Sequence, residues 1–190
     1  AYEHTGESVD IQKPHSCPYC GAELIEEGAN VFCPNKKCRP RVAAALANFA
    51  SKGGMDVEGF SEMTAYQLID VLGVSNFSDL YALDKEKLSR LEGFGDKKIK
   101  NLLGALEKSK QAPLDRFLFA LGIDGIGKVA SKDLAARFGS VEALFKATAE
   151  DLVALENIGE KTAANVVEYF SSPENREEIG KLFAAGVSPF

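Results

Sequence analysis

Four cysteines near the start of this 190-residue chain are the residues best suited to hold a metal. They form two pairs, Cys17 with Cys20 and Cys33 with Cys38. Zinc prefers four thiolates in a tetrahedron, and a gap of two residues lets one tight turn present two sulfurs to the same ion. The spacing therefore predicts a structural zinc site. A catalytic zinc is not favoured, because four protein thiolates leave no open coordination position.

Disulfides and a redox site are the alternatives for these cysteines. Four cysteines can form two disulfides in three ways, but nothing in the sequence indicates secretion, so reduced thiols are favoured. A redox C-x-x-C motif is typical of a βαβ unit, and no such pattern surrounds Cys17 and Cys20. His15 is close in sequence but is not needed as a ligand.

The rest of the chain carries an internal repeat of about 32 residues. Four segments share the order apolar, acidic, Gly or Asn, apolar, Gly or Ser, and we call them hairpins 1 to 4: residues 57–61, 91–95, 123–127 and 155–159. Residues 88–103 and 152–167 are also identical at six positions, at an offset of 64. The four units therefore form two duplicated pairs.

Helical patterns flank each hairpin, and they must position it. Apolar residues follow hairpins 2 and 4 at i, i+3, i+4 and i+7, which predicts one buried stripe per helix. These are Ile99, Leu102, Leu103 and Leu106, then Ala163, Val166, Val167 and Phe170. Residues 41–49 and 114–121 are predicted as the leading helices of units 1 and 3.

Short leading helices are predicted before hairpins 2 and 4. Asp84 and Thr148 are the expected N-caps, and the helices should reach Leu91 and Leu155. The predicted fold is mostly α: a small four-cysteine zinc finger followed by an all-α domain of four helix-hairpin-helix repeats in two duplicated pairs.

The hairpin residues suit the binding of phosphate. The first glycine is expected to need positive φ, which Asn tolerates in hairpin 4. The second glycine opens the next helix, where free backbone N–H groups and the helix dipole form an anion site. Lysines that follow the hairpins can reach the same phosphate or the next one. Plain turn chemistry is the alternative for a single hairpin, but four copies at a near-constant period favour phosphate binding.

The residues predicted to bind DNA fall into three groups. The hairpin positions are Gly59, Ser61, Gly93, Gly95, Gly125, Gly127, Asn157 and Gly159. The lysines after the hairpins are Lys97, Lys98, Lys128 and Lys161. A basic cluster beside the cysteines adds Lys36, Lys37, Arg39 and Arg41. Because Ser61 and Asn157 depart from the glycine pattern, hairpins 2 and 3 are the favoured contacts.

The net charge of −6 and the pI near 5.1 argue against nucleic acid when taken alone, since phosphate contacts are usually made by a basic surface. Binding through backbone amides, however, needs few basic side chains.

Residues 125–130 also match a dinucleotide-binding fingerprint. That motif requires a preceding strand, whereas residues 117–121 are predicted as helix. No apolar run is long enough to span a bilayer.

The combination of finger and hairpins resembles the NAD-dependent DNA ligases of bacteria. The residues that carry the resemblance are 17–21, 33–38, 54–60 and 116–123. The family implies a C-shaped clamp around nicked double-stranded DNA, structural zinc in this part, and NAD and Mg bound elsewhere by an adenylation domain. The K-x-D-G motif of that domain is absent from this sequence, so no catalytic residue and no NAD site are expected here. The family also implies a cytoplasmic, nucleoid-associated enzyme without a membrane partner.

The resemblance also predicts the domain order. Residues 1–14 would be a linker or the tail of an OB-fold domain, 15–40 the zinc finger and 41–190 the helix-hairpin-helix domain, with a BRCT domain to follow. Two other functions stay open on the residues alone. One is a helix-hairpin-helix scaffold of another repair protein, and the other is a helical protein-interaction module, which would show exposed apolar patches and no salt-dependent DNA affinity.

Overall fold

A computed structural model of the chain describes residues 12–190, so most of the segment predicted as a linker or OB-fold tail lies outside the described residues. The chain divides into two compact units, one ending at Arg41 and one running from Val42 to Phe190. Among the described residues, no helix is long and apolar enough to cross a membrane.

A small β-hairpin forms the regular part of the first unit. Strands β1 (Ile25–Glu27) and β2 (Asn30–Phe32) are antiparallel, with Ile25 opposite Phe32. Gly28 opens the two-residue turn between them at φ 62°, a conformation that hairpin turns of this length require and that glycine adopts without strain. An isolated bridge between Ser16 and Glu23 extends the pairing towards the first cysteine pair.

Eleven helices make up most of the described chain, which confirms the mostly α fold with a four-cysteine cluster near the start. They are α1 (Arg39–Ala50), α2 (Glu62–Leu72), α3 (Phe77–Tyr81), α4 (Lys85–Leu88), α5 (Asp96–Ser109), α6 (Leu114–Ala120), α7 (Lys128–Phe138), α8 (Val141–Leu144), α9 (Ala149–Val153), α10 (Glu160–Ser171) and α11 (Pro173–Ala184).

The helices repeat in order, so that α1 to α5 correspond to α6 to α10. We call α1 to α5 the first copy and α6 to α10 the second copy. Helices α1, α4, α6 and α9 lead into the four hairpins, and α2, α5, α7 and α10 follow them. Helices α3 and α8 each connect the two helix-hairpin-helix repeats of one copy. They were not predicted, because they have only five and four residues and are too short to show a helical period. Helix α11 was also missed, and it packs against α3 and α10.

The predicted N-caps of α4 and α9 are confirmed. The Asp84 side chain accepts a hydrogen bond from the backbone of Lys87, and Thr148 accepts one from Asp151. The expected ends of these helices were wrong, because α4 stops at Leu88 and α9 at Val153. Beyond these ends the backbone continues in tighter turns before the hairpins begin, with the N–H of Leu91 donating to the Leu88 carbonyl at 3.1 Å and that of Leu155 to the Leu152 carbonyl at 3.0 Å.

The predicted apolar stripes lie in the core. On α5, Ile99, Leu102 and Leu106 are buried, while Leu103 is half-buried at the edge. On α10, Ala163, Val166 and Phe170 are buried in the same way, with Val167 at the edge. Burial of these faces against the short helices is what holds each hairpin in place, since isolated helices of this length are only marginally stable in water.

Candidate metal centre and nucleic-acid interface

The four cysteine sulfurs lie within 4.8 Å of one another. The Sγ atoms of Cys17 and Cys38 are 3.7 Å apart, and those of Cys20 and Cys33 are 3.5 Å apart. Four sulfurs at a zinc–sulfur distance of about 2.3 Å sit about 3.8 Å from one another at the corners of a tetrahedron. A disulfide needs about 2.05 Å, and all four cysteines are free thiols. The cluster is therefore arranged to hold one metal ion, and its donor set fits zinc.

Two tight turns present the cysteines. The backbone N–H of Gly21 donates to the carbonyl of Cys17 at 2.8 Å, and Gly21 has φ 74°. The N–H of Cys38 donates to the carbonyl of Asn35 at 3.0 Å in the second turn. The sequence did not show that Arg41, predicted to contact DNA, also supports this turn: its Nη1 donates to the Cys33 carbonyl at 2.8 Å.

The surroundings of the thiols differ in ways that matter for metal loading. A hydrogen bond with the backbone of Ala22, helped by the side chain of Asn35, lowers the pKa of Cys20 to about 6. Burial, reinforced by the neighbouring thiols, raises the pKa of Cys38 to about 12. Metal binding must therefore displace the proton of the Cys38 thiol.

All four predicted hairpins close with the same backbone hydrogen bond, from the central apolar residue to the residue three positions earlier. The donors are Phe60 (3.2 Å), Phe94 (3.3 Å), Ile126 (3.0 Å) and Ile158 (3.1 Å). Gly59, Gly93 and Gly125 have φ between 78° and 83°, as the third residue of a type II turn requires. The apolar side chains of hairpins 2, 3 and 4 point into the core, which leaves the flanking glycines on the surface.

Hairpin 4 differs, and the expectation that Asn157 would adopt positive φ was wrong. Among residues 12–190, Asp56 is the only non-glycine residue with positive φ. A residue with a Cβ is destabilised in that region by about 1–2 kcal/mol, and Asn157 has another partner available. Its Nδ2 donates to Oδ2 of Asp133 at 2.7 Å. The turn hydrogen bond of Ile158 is retained with a different backbone geometry.

The second glycine of hairpins 2, 3 and 4 is the N-cap of the following helix, as predicted. Gly95, Gly127 and Gly159 have extended backbones and provide no side chain to cap the first-turn N–H groups. A Cβ at any of the three would meet no described atom within 4 Å, so an approaching ligand reaches the backbone directly. In hairpin 1, by contrast, the Ser61 hydroxyl accepts the N–H of Thr64 at 3.1 Å and fills part of this space.

The charges at these helix starts are not equal. Helices α2, α5 and α10 each begin with an acidic residue, Glu62, Asp96 and Glu160. Helix α7 has no acidic residue in its first turn and begins with Lys128. Acidic side chains therefore neutralise the positive end of the helix dipole least at Gly127, in hairpin 3.

The hairpins lie together in pairs. Hairpins 1 and 2 border a cleft of about 390 Å³, lined by Glu58, Gly59, Phe94, Gly95, Lys97, Lys98, Asn101 and Leu102. Hairpin 3 is in contact with α10, the helix that follows hairpin 4, since Asn165 Nδ2 donates to the Asp124 carbonyl at 3.2 Å. Gln67 and Asp133, at matching places on α2 and α7, bond to hairpins 2 and 4 respectively. Each pair is therefore one surface.

The predicted lysines are exposed beside these surfaces. Lys98 Nζ lies 4.2 Å from the centroid of the Phe94 ring, and Lys128 Nζ lies 5.9 Å from that of Phe119. Lys97 and Lys161 are exposed on the first turns of α5 and α10. The basic cluster Lys36, Lys37, Arg39 and Arg41 is exposed in or at the end of the first unit. Binding of DNA by any of these residues stays a prediction.

A residue whose role the sequence did not reveal supports the segment that leads into hairpin 1. The connection from α1 to α2 has eleven residues (51–61), whereas that from α6 to α7 has seven (121–127). Arg116 on α6 donates to the carbonyls of Gly54 at 3.1 Å and Lys52 at 2.7 Å. It also forms an ion pair with Asp56 at 3.3 Å. Only the extra length of the connection could have indicated that it needed a support.

Comparison with known proteins places both copies in one structural class. The family model described as a SAM-like helix-hairpin-helix tandem matches residues 55–108, within the first copy. The model described as a helix-hairpin-helix motif matches residues 116–179, within the second. The two matches together cover all four hairpins.

The similar proteins found by sequence comparison are named DNA ligases. A DNA ligase of Alkaliphilus metalliredigens is 44% identical over 184 residues, 96% of this chain. DNA ligase 2 of Clostridium acetobutylicum is 41% identical over 189 residues, 99% of this chain. The chain is homologous to one part of the DNA ligases. It spans 28% of the length of each of these two relatives, and the predicted resemblance to DNA ligases is confirmed to that extent.

Proposed function

We propose that this chain is the part of an NAD-dependent DNA ligase that grips the backbone of nicked duplex DNA, for nick sealing in replication and repair. The observation that carries the proposal is the set of three exposed helix starts capped by Gly95, Gly127 and Gly159, each following a turn that is closed by the same backbone hydrogen bond. Homology to DNA ligases along nearly the whole chain supports it.

The grip would work through backbone amides. The first N–H groups of α5, α7 and α10 have no partner within their helices, and phosphate oxygens accept such bonds while meeting the positive end of the helix dipole. Lys97 and Lys161, at the same first turns, would add ionic contacts to neighbouring phosphates, and Lys128 would do so after leaving its position over Phe119. None of these groups reads a base, so binding would be independent of sequence.

Such a grip is compatible with an acidic chain. The net charge of −6 weakens long-range attraction of DNA, but it does not oppose contacts made by fixed amides at short range. Affinity should therefore be modest and should fall as salt rises.

The rest of the reaction would take place elsewhere in the whole protein. The adenylation domain would bind NAD and Mg, charge its lysine and transfer AMP to the 5′-phosphate, and this chain would hold the duplex for it together with the OB-fold and BRCT domains. The four thiolates would hold zinc as a structural ion that fixes the turns of the finger, next to the basic cluster. The whole enzyme would act in the cytoplasm, at the nucleoid.

The proposal is tested by binding of the chain to nicked and intact duplexes of unrelated sequence across a salt series. We expect measurable affinity at low salt, similar for all sequences, and a linear fall of log affinity with log salt. No binding at low salt would contradict the proposal and would favour a protein-interaction module.

Two variants make the test residue-specific. Gly95→Ala and Gly127→Ala place a methyl group where a phosphate would approach, at positions where the protein itself leaves space. Folding should change by no more than about 1 kcal/mol, the usual effect of an N-cap exchange. Gly180→Ala, at an exposed position of α11 that is equally free of neighbours, is the matched control. Loss of binding in the first two but not in the control is expected.

A further inference from the structure

The second residue of the helix that follows each hairpin alternates in character along the chain. It is Met63 after hairpin 1, Lys97 after hairpin 2, Val129 after hairpin 3 and Lys161 after hairpin 4. All four side chains are exposed. Each pair of hairpins thus presents one apolar and one cationic residue at the same register position.

Met63 and Val129 are unusually exposed for apolar residues, at 74% and 62% of their full accessible surface. A single exposed apolar side chain is ordinary on a protein surface. Here, however, the exposure recurs at the same position in both copies. The fold does not require it, since Lys97 and Lys161 occupy the matching positions of the same copies without loss of the helix start.

The residue immediately before each of these two side chains does not extend a cation past it, although Lys132 is exposed one turn after Val129. At hairpin 1 the helix begins with Glu62, and the Ser61 hydroxyl already bonds the N–H of Thr64. At hairpin 3 the Lys128 side chain is turned back over Phe119, and its Cε would lie 2.6 Å from a Cβ placed on Gly53. Each of these two first turns therefore presents one exposed apolar side chain.

A DNA backbone offers two different surfaces to such a pair. Phosphate oxygens line its outside, while the deoxyribose carbons at the edge of the minor groove are apolar, and proteins that bind this groove insert Met, Leu, Ile or Phe side chains between its base steps. We propose that Met63 and Val129 pack against deoxyribose at the minor-groove edge, while Lys97 and Lys161 contact phosphate. The inference rests on the proposed function. It adds that, within each pair, one hairpin contacts the sugar and the other contacts the phosphate.

The two kinds of contact differ in their response to salt. Each phosphate contact by a lysine releases counterions and contributes about 0.9 to the slope of log affinity against log salt, whereas an apolar contact contributes nothing to it. Lys97→Ala with Lys161→Ala should therefore lower the slope by about 1.8. Met63→Ala with Val129→Ala should lower affinity about tenfold at every salt concentration with the slope unchanged, as expected for two partly buried side chains.

Val71→Ala is the matched control, because Val71 is 53% exposed on the same helix as Met63 but at its other end. We expect it to bind DNA like the unchanged chain. All variants lie at exposed positions, so thermal melts should agree within about 2 °C, the shift that a change of about 0.5 to 1 kcal/mol causes in a domain of this size.

The outcomes are separable. If the unchanged chain binds DNA but the Met63 and Val129 double variant binds equally well, or loses affinity together with slope, this inference fails and the proposed function stands. If the unchanged chain binds no DNA, the proposed function itself fails. A second double variant, Met63→Lys with Val129→Lys, should raise the slope and bind more weakly than the unchanged chain at high salt. Tighter binding there would overturn the apolar contact.

Discussion

Two glycines with the same backbone conformation allow the cost of the hairpin turn to be measured in two settings. Gly93 has φ 78°, and a Cβ added to it would meet no described atom within 4 Å. Gly125 has φ 83°, but a Cβ there would lie 2.9 Å from Oγ1 and 3.2 Å from Cγ2 of Thr162. Alanine at either position is strained by the positive φ, and at Gly125 it also collides with α10.

The magnitudes follow from these contacts. Positive φ costs an alanine about 1–2 kcal/mol, so Gly93→Ala should destabilise the chain by that amount. Displacing a packed neighbour adds about 1–3 kcal/mol, so Gly125→Ala should cost about 2–5 kcal/mol in all. In a domain of this size each kcal/mol lowers the melting temperature by about 2–4 °C.

The assay is urea and thermal unfolding of the two variants, followed by far-ultraviolet circular dichroism. Thr162→Ala removes both colliding atoms. In that background Gly125→Ala should cost no more than Gly93→Ala does alone, because only the backbone strain remains. Equal effects of the two glycine substitutions in the unchanged chain, or no relief by Thr162→Ala, would refute this account of the turns.

Three further predictions follow from the structure. A chelator should increase hydrogen exchange in residues 15–40, and a finger that is unchanged without metal would contradict the zinc assignment. Arg116→Lys keeps the charge but cannot donate to both carbonyls at once, so it should lower the free energy of unfolding by about 1–2 kcal/mol and increase hydrogen exchange in residues 51–56. Asp56→Asn should lower the free energy of unfolding by less than about 1 kcal/mol. Hydrogen bonds from the backbone and hydroxyl of Thr148 lower the pKa of Asp151 in the folded chain. The ionised Asp151 therefore stabilises the fold at pH values above its unfolded pKa of about 3.9, and this stabilisation is lost as the pH falls through the folded pKa. Asp151→Asn should accordingly lower the melting temperature at pH 7 but not at pH 2, and an equal effect at both would be evidence against the capping role.

The sequence predicted the elements whose signals are local. Periodicity identified the stripes on α5 and α10, and the residue types of Asp84 and Thr148 marked helix starts, because caps depend on neighbours within one turn. The cysteine spacing predicted the cluster because each cysteine pair lies within a single turn, Cys17 with Cys20 and Cys33 with Cys38.

Features that depend on distant partners were not visible. Asn157 bonds to Asp133, twenty-four residues away, and the longer connection before hairpin 1 is bonded to Arg116, more than fifty residues further on. Short α3 and α8 depend on packing rather than on their own pattern. The alternation of Met63, Lys97, Val129 and Lys161 could have been read from the sequence, but its meaning required the exposure of those side chains.

The contacts of Arg116 have a consequence for how the helical unit unfolds. Arg116 and Asn48 both join the second copy to the first, since Asn48 Nδ2 donates to the Phe119 carbonyl at 3.3 Å. At the other side, Glu178 on α11 accepts hydrogen bonds from the backbone and hydroxyl of Ser78 on α3, at 2.7 and 3.0 Å. Each copy therefore completes the surface of the other. Residues 42–190 form one compact unit, so we expect the two copies to unfold together although they repeat one pattern of helices.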